Sequence, residues 1–376
     1  MIDPFDSPAN NPRLIERVLD QACKIQQIPS PTFGESERAR WVFEQFQQEN
    51  HGKAEIDAAG NVLTRIPGRA SGRPLVVSAH LDTVFPRETN LALARSPVAI
   101  SGPGIGDNSL GVAGLFSLLW GLREPRVQLP GDVWLVANVC EEGLGNLKGI
   151  SAVVSRFEAQ PVAYLVLEGI GLGQVYHRGL PIRRFRVEVQ TPGGHSWSDF
   201  GRPSAVHELI SLLNQITGLP VPREPRSSLN VGVIQGGTSI NTLASDASAE
   251  IDLRSTSEEV LTRMAGEIVR LAQNTNRKNV RCRIEQIGQR PAGEIDPEHP
   301  LVRLAIEILR ELNVVPRTGI GSTDANAPLH AGFPSICVGL TTGGGVHTLE
   351  EFIRVEPLAK GIEQIFRFVS RAWEIL

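Results

Sequence analysis

The sequence has no C-x-x-C pair; its four cysteines, Cys23, Cys140, Cys282 and Cys337, lie far apart. That spacing argues against a disulfide framework and a cysteine-ligated zinc, and favours a reducing compartment. No apolar run approaches the roughly 20 residues needed to span a bilayer. The opening MIDPFDSPANNPRL has neither a basic start nor an apolar core, so a cytoplasmic protein without membrane contact is expected. Positive charge is not in excess either. Lys and Arg number 37 against 41 Asp and Glu, a formal net charge of −4, which disfavours nucleic acid or an anionic membrane as partner. The G-x-S-x-G and G-x-x-x-x-G-K-[ST] patterns are absent, which lowers the case for a serine hydrolase elbow or a P-loop. GPGIG is not G-x-G-x-x-G, and no acidic residue follows a first strand at ribose spacing, so a dinucleotide site is discounted.

What is present is an ordinary globular composition, 41% hydrophobic and 21% charged, which excludes disordered and fibrous classes. A length of 376 residues suits about two domains. Amphipathic helices are expected over 13–28 and 36–49, and a hairpin over 54–66 turning at Ala59, Gly60 and Asn61. Apolar runs at 74–81, 132–140 and 163–169, separated by helical patterns near 109–123 and 145–157, read as strands of a parallel sheet covered on both faces. From about residue 180 the rhythm changes. Strands at 183–190, 228–234, 247–254 and 280–287 and helices at 204–216 and 257–275 follow the order β-α-β-β-α-β, a ferredoxin-like split unit. Thr256-x-x-Glu259 is the expected capping box of the second helix. A helix at 300–312, a strand at 335–340 and a helix at 357–374 then resume the first pattern. The expectation is an α/β domain, 1–179 and 291–376, interrupted by an inserted α+β domain at 180–290.

In open α/β sheets, ligands bind beyond the carboxyl ends of the strands. Each strand end here supplies metal-ligand types: His80 and Asp82, then Glu141 and Glu142, then Glu168. Asp107 follows GPGIG and is expected to open a helix, and His347 follows Gly343-Gly344-Gly345. Two imidazoles and several carboxylates suit Zn²⁺, with Co²⁺ or Mn²⁺ as alternatives. Asp82, two residues from His80, is placed to accept the second imidazole N–H. The neighbours Glu141 and Glu142 diverge, which suits one ligand and one general base. Two dications against Asp107, Glu142, Glu168 and a hydroxide would leave a nearly neutral site. Each feature has a plainer alternative. The H-x-D pair or the two glutamates could be solvated, Asp107 a helix cap, Glu168 half of a buried ion pair, and His347 a loop residue. Their coincidence at one sheet edge favours the metal site.

The segments SAHLDTVF, GPGIGDNSLGVAGL, VCEEGLGNLKG, VLEG, TPGGHSWSDFG, D-L-R at 252–254, GSTDAN and GGGVHT resemble, in order, the motifs of a dizinc metallopeptidase family. That family includes peptidase T, glutamate carboxypeptidase, aminoacylase, acetylornithine deacetylase and succinyl-diaminopimelate desuccinylase. The resemblance implies a zinc-dependent exopeptidase-like α/β domain carrying an inserted lid that mediates homodimerisation. It also implies two Zn²⁺ per chain, one held by His80, Asp107 and Glu168 and the other by Glu142, Asp107 and His347. Glu141 is then the general base and Asp82 the partner of His80. His195 is the donor to the oxyanion, typically reaching the partner subunit's site, and Arg254 and Asn241 bind the substrate's carboxylate and backbone. The alternatives are a structural turn histidine, a lid salt bridge of Arg254 with Asp252, and a turn-forming asparagine. Asn241 lacks the proline that often follows it in relatives. Glu168 is Asp in many aminopeptidase members and Glu in many carboxypeptidase and deacylase members.

The reading is a metal-dependent hydrolase acting on the end of a small peptide. An N-acyl amino acid deacylase of the same family is the alternative, and a non-hydrolytic metal-binding relative a further one.

Overall fold

The computed structural model describes residues 11–69, 72–123 and 128–375. Residues 1–10, on which much of the reading of the opening segment rests, lie outside the described residues. The chain forms two compact units, one ending at Gly179 and resuming at Gly293, the other Leu180–Ala292. All four cysteines are free. Among the described residues, no helix is long and apolar enough to cross a membrane.

The larger unit is built on a nine-stranded sheet. Its centre is parallel: Gly131–Asn138, Gly72–His80, Ala163–Ile170 and Ser335–Thr341 lie side by side in that order. Both faces of these strands are apolar, because each is covered by helices. Leu75 and Val77 face the main core with helices Pro12–Gln26, Gly111–Leu122, Pro300–Glu311 and Leu358–Ile375. Val76, one residue out of phase, faces the other way with Val136, Tyr164 and helix Lys148–Phe157. The C-terminal helix lies so close to the sheet that a Cβ on Gly361 would stand 1.7 Å from the Leu340 carbonyl oxygen. The sheet's outer strands are not parallel. The hairpin Ala54–Ile56 with Val62–Ile66 adds an antiparallel margin on one side. Gln174–Gly179 adds another by running antiparallel to Ser335–Thr341. Arg317–Gly321 pairs parallel with Gln174–Gly179.

The smaller unit is a four-stranded antiparallel sheet in the order Ser227–Gly236, Asp246–Ser255, Ile182–Gln190, Arg281–Arg290. Helices Ala205–Thr217 and Glu258–Asn274 share its core. The connectivity is β-α-β-β-α-β, the ferredoxin-like order. Alternation decides which face is covered: Phe185, Val187, Val189, Ala249, Ile251 and Leu253 are buried, and the charged residues between them point to the open face.

Two local expectations are corrected. The cap of helix Glu258–Asn274 is Ser257, whose hydroxyl accepts from the Val260 N–H at 3.4 Å, so Thr256 lies one residue too early. Asp107 does not open a helix. The regular helix begins at Gly111, and Asp107 sits in an irregular turn before it with φ −108° and ψ 90°.

Candidate active site

The parallel strands place their carboxyl ends together, and the chemistry-bearing residues follow. His80, the last residue of Gly72–His80, is buried at 2% exposure. Its Nε2 lies 3.1 Å from Asp107 Oδ1 and 3.8 Å from Glu168 Oε2. Its Nδ1 is 3.0 Å from the Asp82 main-chain oxygen and 3.6 Å from the carboxylate Oδ1. The carbonyl therefore takes the Nδ1 proton and leaves Nε2 to face the carboxylates. The Asp82 carboxylate has a different main task. It accepts from the N–H groups of Glu141 at 2.9 Å and Glu142 at 2.8 Å, and from Thr32 Oγ1 at 2.9 Å. One residue thus ties the turn after His80 to the turn that carries both glutamates.

Asp107 stands between the two imidazoles. His347 Nε2 is 3.0 Å from Asp107 Oδ2 and 3.0 Å from Glu142 Oε1. Three groups place ligand atoms within 4.8 Å of one another: His80, Asp107 and Glu168; Asp107, Glu142 and His347; and His80, Glu141 and Glu142. The first two share Asp107 through different oxygens, which is the geometry of a carboxylate bridging two ions.

The electrostatics ask for cations. Burial, reinforced by Asp107 and Glu141, pushes the Glu142 carboxyl up to about 7. Burial also raises Glu168 to about 7. Against the cost of burial, hydrogen bonds to His347 and His80 hold Asp107 well below the carboxylate range. Hydrogen bonds to Asp107 and Glu142 lift His347 to about 10. So many carboxylates can share a buried space only by gaining protons or by meeting positive charge. An oxygen- and imidazole-rich donor set with one shared carboxylate fits a pair of divalent ions.

The smaller unit carries the other three candidates. His195 is exposed, and its Nδ1 accepts from the N–H groups of Trp197 at 3.2 Å and Ser198 at 3.3 Å. The ring proton is thereby placed on Nε2, which suits a hydrogen-bond donor. His195 pairs with Thr242, and the Ser196 N–H donates to the Asn241 carbonyl at 3.0 Å, so His195 and Asn241 share one tip. Arg254 is not with them. It lies at the other end of strand Asp246–Ser255, where its Nε donates to Asp252 Oδ1 at 2.8 Å. Arg184 holds the second Asp252 oxygen at 2.9 Å. Arg254 is eight positions along the extended strand from its first residue Asp246, about 26 Å, and the tip ribbon of His195 and Thr242 precedes that strand.

Sequence reasoning missed two side chains at the site. Glu351 is fully buried, and its carboxylate accepts from the N–H groups of Gly104, Gly106 and Asp107 at 3.1, 2.7 and 2.8 Å. Asn108 is also fully buried and bonds both flanks of Glu168, giving Nδ2–H to the Leu167 carbonyl at 2.8 Å and accepting from the Gly169 N–H at 3.0 Å. Asn108 adjoins Asp107 in the sequence, whereas Glu351, four residues past His347, carries no local signal.

The profile of peptidase family M20/M25/M40 matches residues 76–371. A protein of Arthroderma benhamiae named a probable carboxypeptidase is 24% identical over 253 residues, 61% of this chain and 54% of that protein. The chain thus aligns with about half the length of this curated relative. A tripeptidase of Staphylococcus aureus superposes with a TM-score of 0.79 at 19% identity, covering 96% of this chain and 99% of that one. A dinuclear metal-binding peptidase from the M20 family of Bacillus subtilis gives 0.66 at 15% identity, covering 97% and 99%. At these identities the superpositions establish a shared fold.

Proposed function

The chain belongs to peptidase family M20/M25/M40, and from that premise we propose that it is a metal-dependent exopeptidase acting on the end of a small peptide. The observation that carries this reading is the pair of ligand clusters meeting at Asp107. His80, Asp107 and Glu168 would hold one divalent ion, and Asp107, Glu142 and His347 the other, with Zn²⁺ the ion we favour. Such ions, when bound, supply polarisation of the scissile carbonyl and a more acidic water.

The chain's own residues do the rest. Glu141, beside the ligand Glu142 and held through its N–H by Asp82, takes the water's proton and passes it to the leaving amine. His195 donates from Nε2 to the oxyanion that develops on the substrate carbonyl. Arg254 offers the N–H groups not used by Asp252 to a terminal carboxylate, and Asn241 binds the substrate backbone. His195 sits on the ribbon that precedes strand Asp246–Ser255 and Arg254 near that strand's far end, with about 26 Å of strand between Asp246 and Arg254, which favours the two serving different sites. We therefore read the enzyme as a homodimer in which His195 and Asn241 serve the partner's site. Strand Ser227–Gly236, an exposed edge with Val233 and Ile234 in solvent, and the tip with Trp197, Phe200 and Ile240 exposed, support an interface on the smaller unit. The four free thiols support a cytoplasmic location.

A deacylase of N-acyl amino acids is the second reading; Glu168, where many aminopeptidase members carry Asp, is compatible with it and with a carboxypeptidase-like exopeptidase alike. Initial rates on free-amine di- and tripeptides, N-acetyl amino acids and N-succinyl amino acids, zinc-loaded against chelated, separate the two. Zinc-dependent cleavage of free-amine peptides is expected. Preferential cleavage of the N-acyl compounds would replace exopeptidase by deacylase, and silence across the panel with two metals bound would overturn both.

A further inference from the structure

We propose that Glu351 and Asn108 are positioning residues, a two-sided clamp that holds the Asp107 carboxylate between His80 and His347. The inference rests on the metal-dependent reading above and adds to it what keeps the shared ligand in place. Asp107 needs such help because of where it sits. Four of the five candidate ligands stand on or just beyond regular strands or on a tight loop, but Asp107 belongs to a turn with non-helical backbone angles at both Asp107 and Asn108. Nothing in the helix ladder fixes its direction, while bridging requires each oxygen to face a different imidazole.

The clamp closes on that turn from two ligand-bearing segments. From one side, the loop of His347 continues four residues to Glu351. Its carboxylate takes three N–H groups of the turn, and its main-chain oxygen accepts from the Gly102 N–H at 2.8 Å. From the other side, Asn108 behaves like a strand residue pairing with Ala163–Ile170. It takes the Leu167 carbonyl and the Gly169 N–H, and so brackets Glu168. The approach is tight: a Cβ on Gly169 would stand 2.1 Å from the Gly106 carbonyl oxygen. The Asp107 turn is therefore tied at once to the segment of His347 and to the strand of Glu168.

The chemistry requires a carboxylate at Glu351. Three N–H groups converge on two oxygens, and an amide would replace one oxygen by a donor facing a donor. Glu351→Gln keeps the shape and loses that match. Partners that orient ligands typically contribute about ten- to hundredfold to metal affinity.

The test is titration of the chelator-stripped full chain with Zn²⁺ alone and, separately, with Co²⁺ followed by its visible absorption. The parent takes up two equivalents. In E351Q both equivalents bind about ten- to hundredfold more weakly, because the weakened ligand is shared, and the Co²⁺ bands change with the altered ligand field. Leu349→Ala, an exposed position of the same loop, binds as the parent does. A purely structural role would lower the melting temperature of E351Q without changing affinity or spectrum in the folded protein. Binding by E351Q within twofold of the parent, with unchanged Co²⁺ bands, overturns the clamp. If E351Q does not fold, Glu351→Ala, which removes the acceptor altogether, is held to the same criterion. A parent that takes up no metal removes the metal-dependent reading and the clamp together; uptake by the parent with an unaffected variant removes the clamp alone.

Discussion

The two units present their candidate residues in opposite ways. In the larger unit, His80, Asp82, Glu141 and Glu142 are each less than a tenth exposed, and their backbones are tied to one another by side chains; His347, its side chain 52% exposed, is the exception. In the smaller unit, His195 and Asn241 stand exposed on a tip, and Arg254 lies near the far end of strand Asp246–Ser255, paired with Asp252. Groups that must hold charge at fixed separations need burial and a braced backbone. Groups that meet the substrate only as it arrives can remain in solvent until then. The larger unit therefore holds its whole candidate ligand set by itself, while under the proposed reading the smaller unit's residues act only on something brought to them.

The largest expected effect falls on the complete half. Glu141→Gln is expected to lower kcat by about a hundredfold to ten-thousandfold while two equivalents of Zn²⁺ still bind, since Glu141 is read as base and not as ligand. Activity near that of the parent would remove Glu141 from the role, and loss of a metal equivalent would make it a ligand.

His195→Ala probes the incomplete half, with an expected loss of about a hundredfold to a thousandfold. Mixing it with Glu141→Gln sharpens the comparison. If His195 acts on the partner's site, each hybrid dimer regains one intact site, and after full exchange up to about a quarter of parental activity returns. A mixture as inactive as its components, with exchange verified, would return His195 to its own chain. Arg254→Ala is expected to raise KM for substrates with a free carboxylate by about ten- to hundredfold, with little change in kcat. Equal effects on an amidated substrate would leave Arg254 as the salt-bridge partner of Asp252.

The same contrast decides what was legible in the sequence. His80, Glu142 and Glu168 announce themselves because an apolar strand is followed at once by a ligand type, and parallel strands bring such ends together. The order of the smaller unit was equally plain, since buried and charged residues alternate along its strands. What could not be read depends on partners distant in the chain. Glu351 meets Asp107 across 244 residues, and no local pattern marks such a contact. Strand Arg317–Gly321 is nowhere buried and carries one large apolar residue, so it lacks the run that identifies a core strand. Asp107 was expected at a helix start, but its turn follows the demands of Glu351 and Asn108 and not of helix Gly111–Leu122. Arg254 was legible as a residue and not as a place. The D-L-R motif does not say that the ribbon with His195 precedes the other end of strand Asp246–Ser255.

The smallest expected effect is on pH dependence, and it again separates the units. Without metal, His347 is raised to about 10 by Asp107 and Glu142, and burial raises Glu142 and Glu168 to about 7. All three bind protons more tightly folded than unfolded. Their contribution to the metal-free fold is complete at low pH and is lost as pH rises, through about 7 for the carboxyls and about 10 for the imidazole. Metal binding requires these protons to leave, so affinity tightens with rising pH, by up to about tenfold per unit for each proton released. The melting-temperature gap between zinc-loaded and stripped protein is therefore expected to widen steadily from pH 6 to pH 9. His195→Ala, which touches none of these groups, is expected to leave that widening unchanged, whereas Glu142→Gln flattens it. A gap independent of pH in the parent would mean that the carboxylates and imidazoles of the larger unit do not exchange protons for metal, and the distinction drawn between a complete metal centre and an incomplete substrate surface would fail.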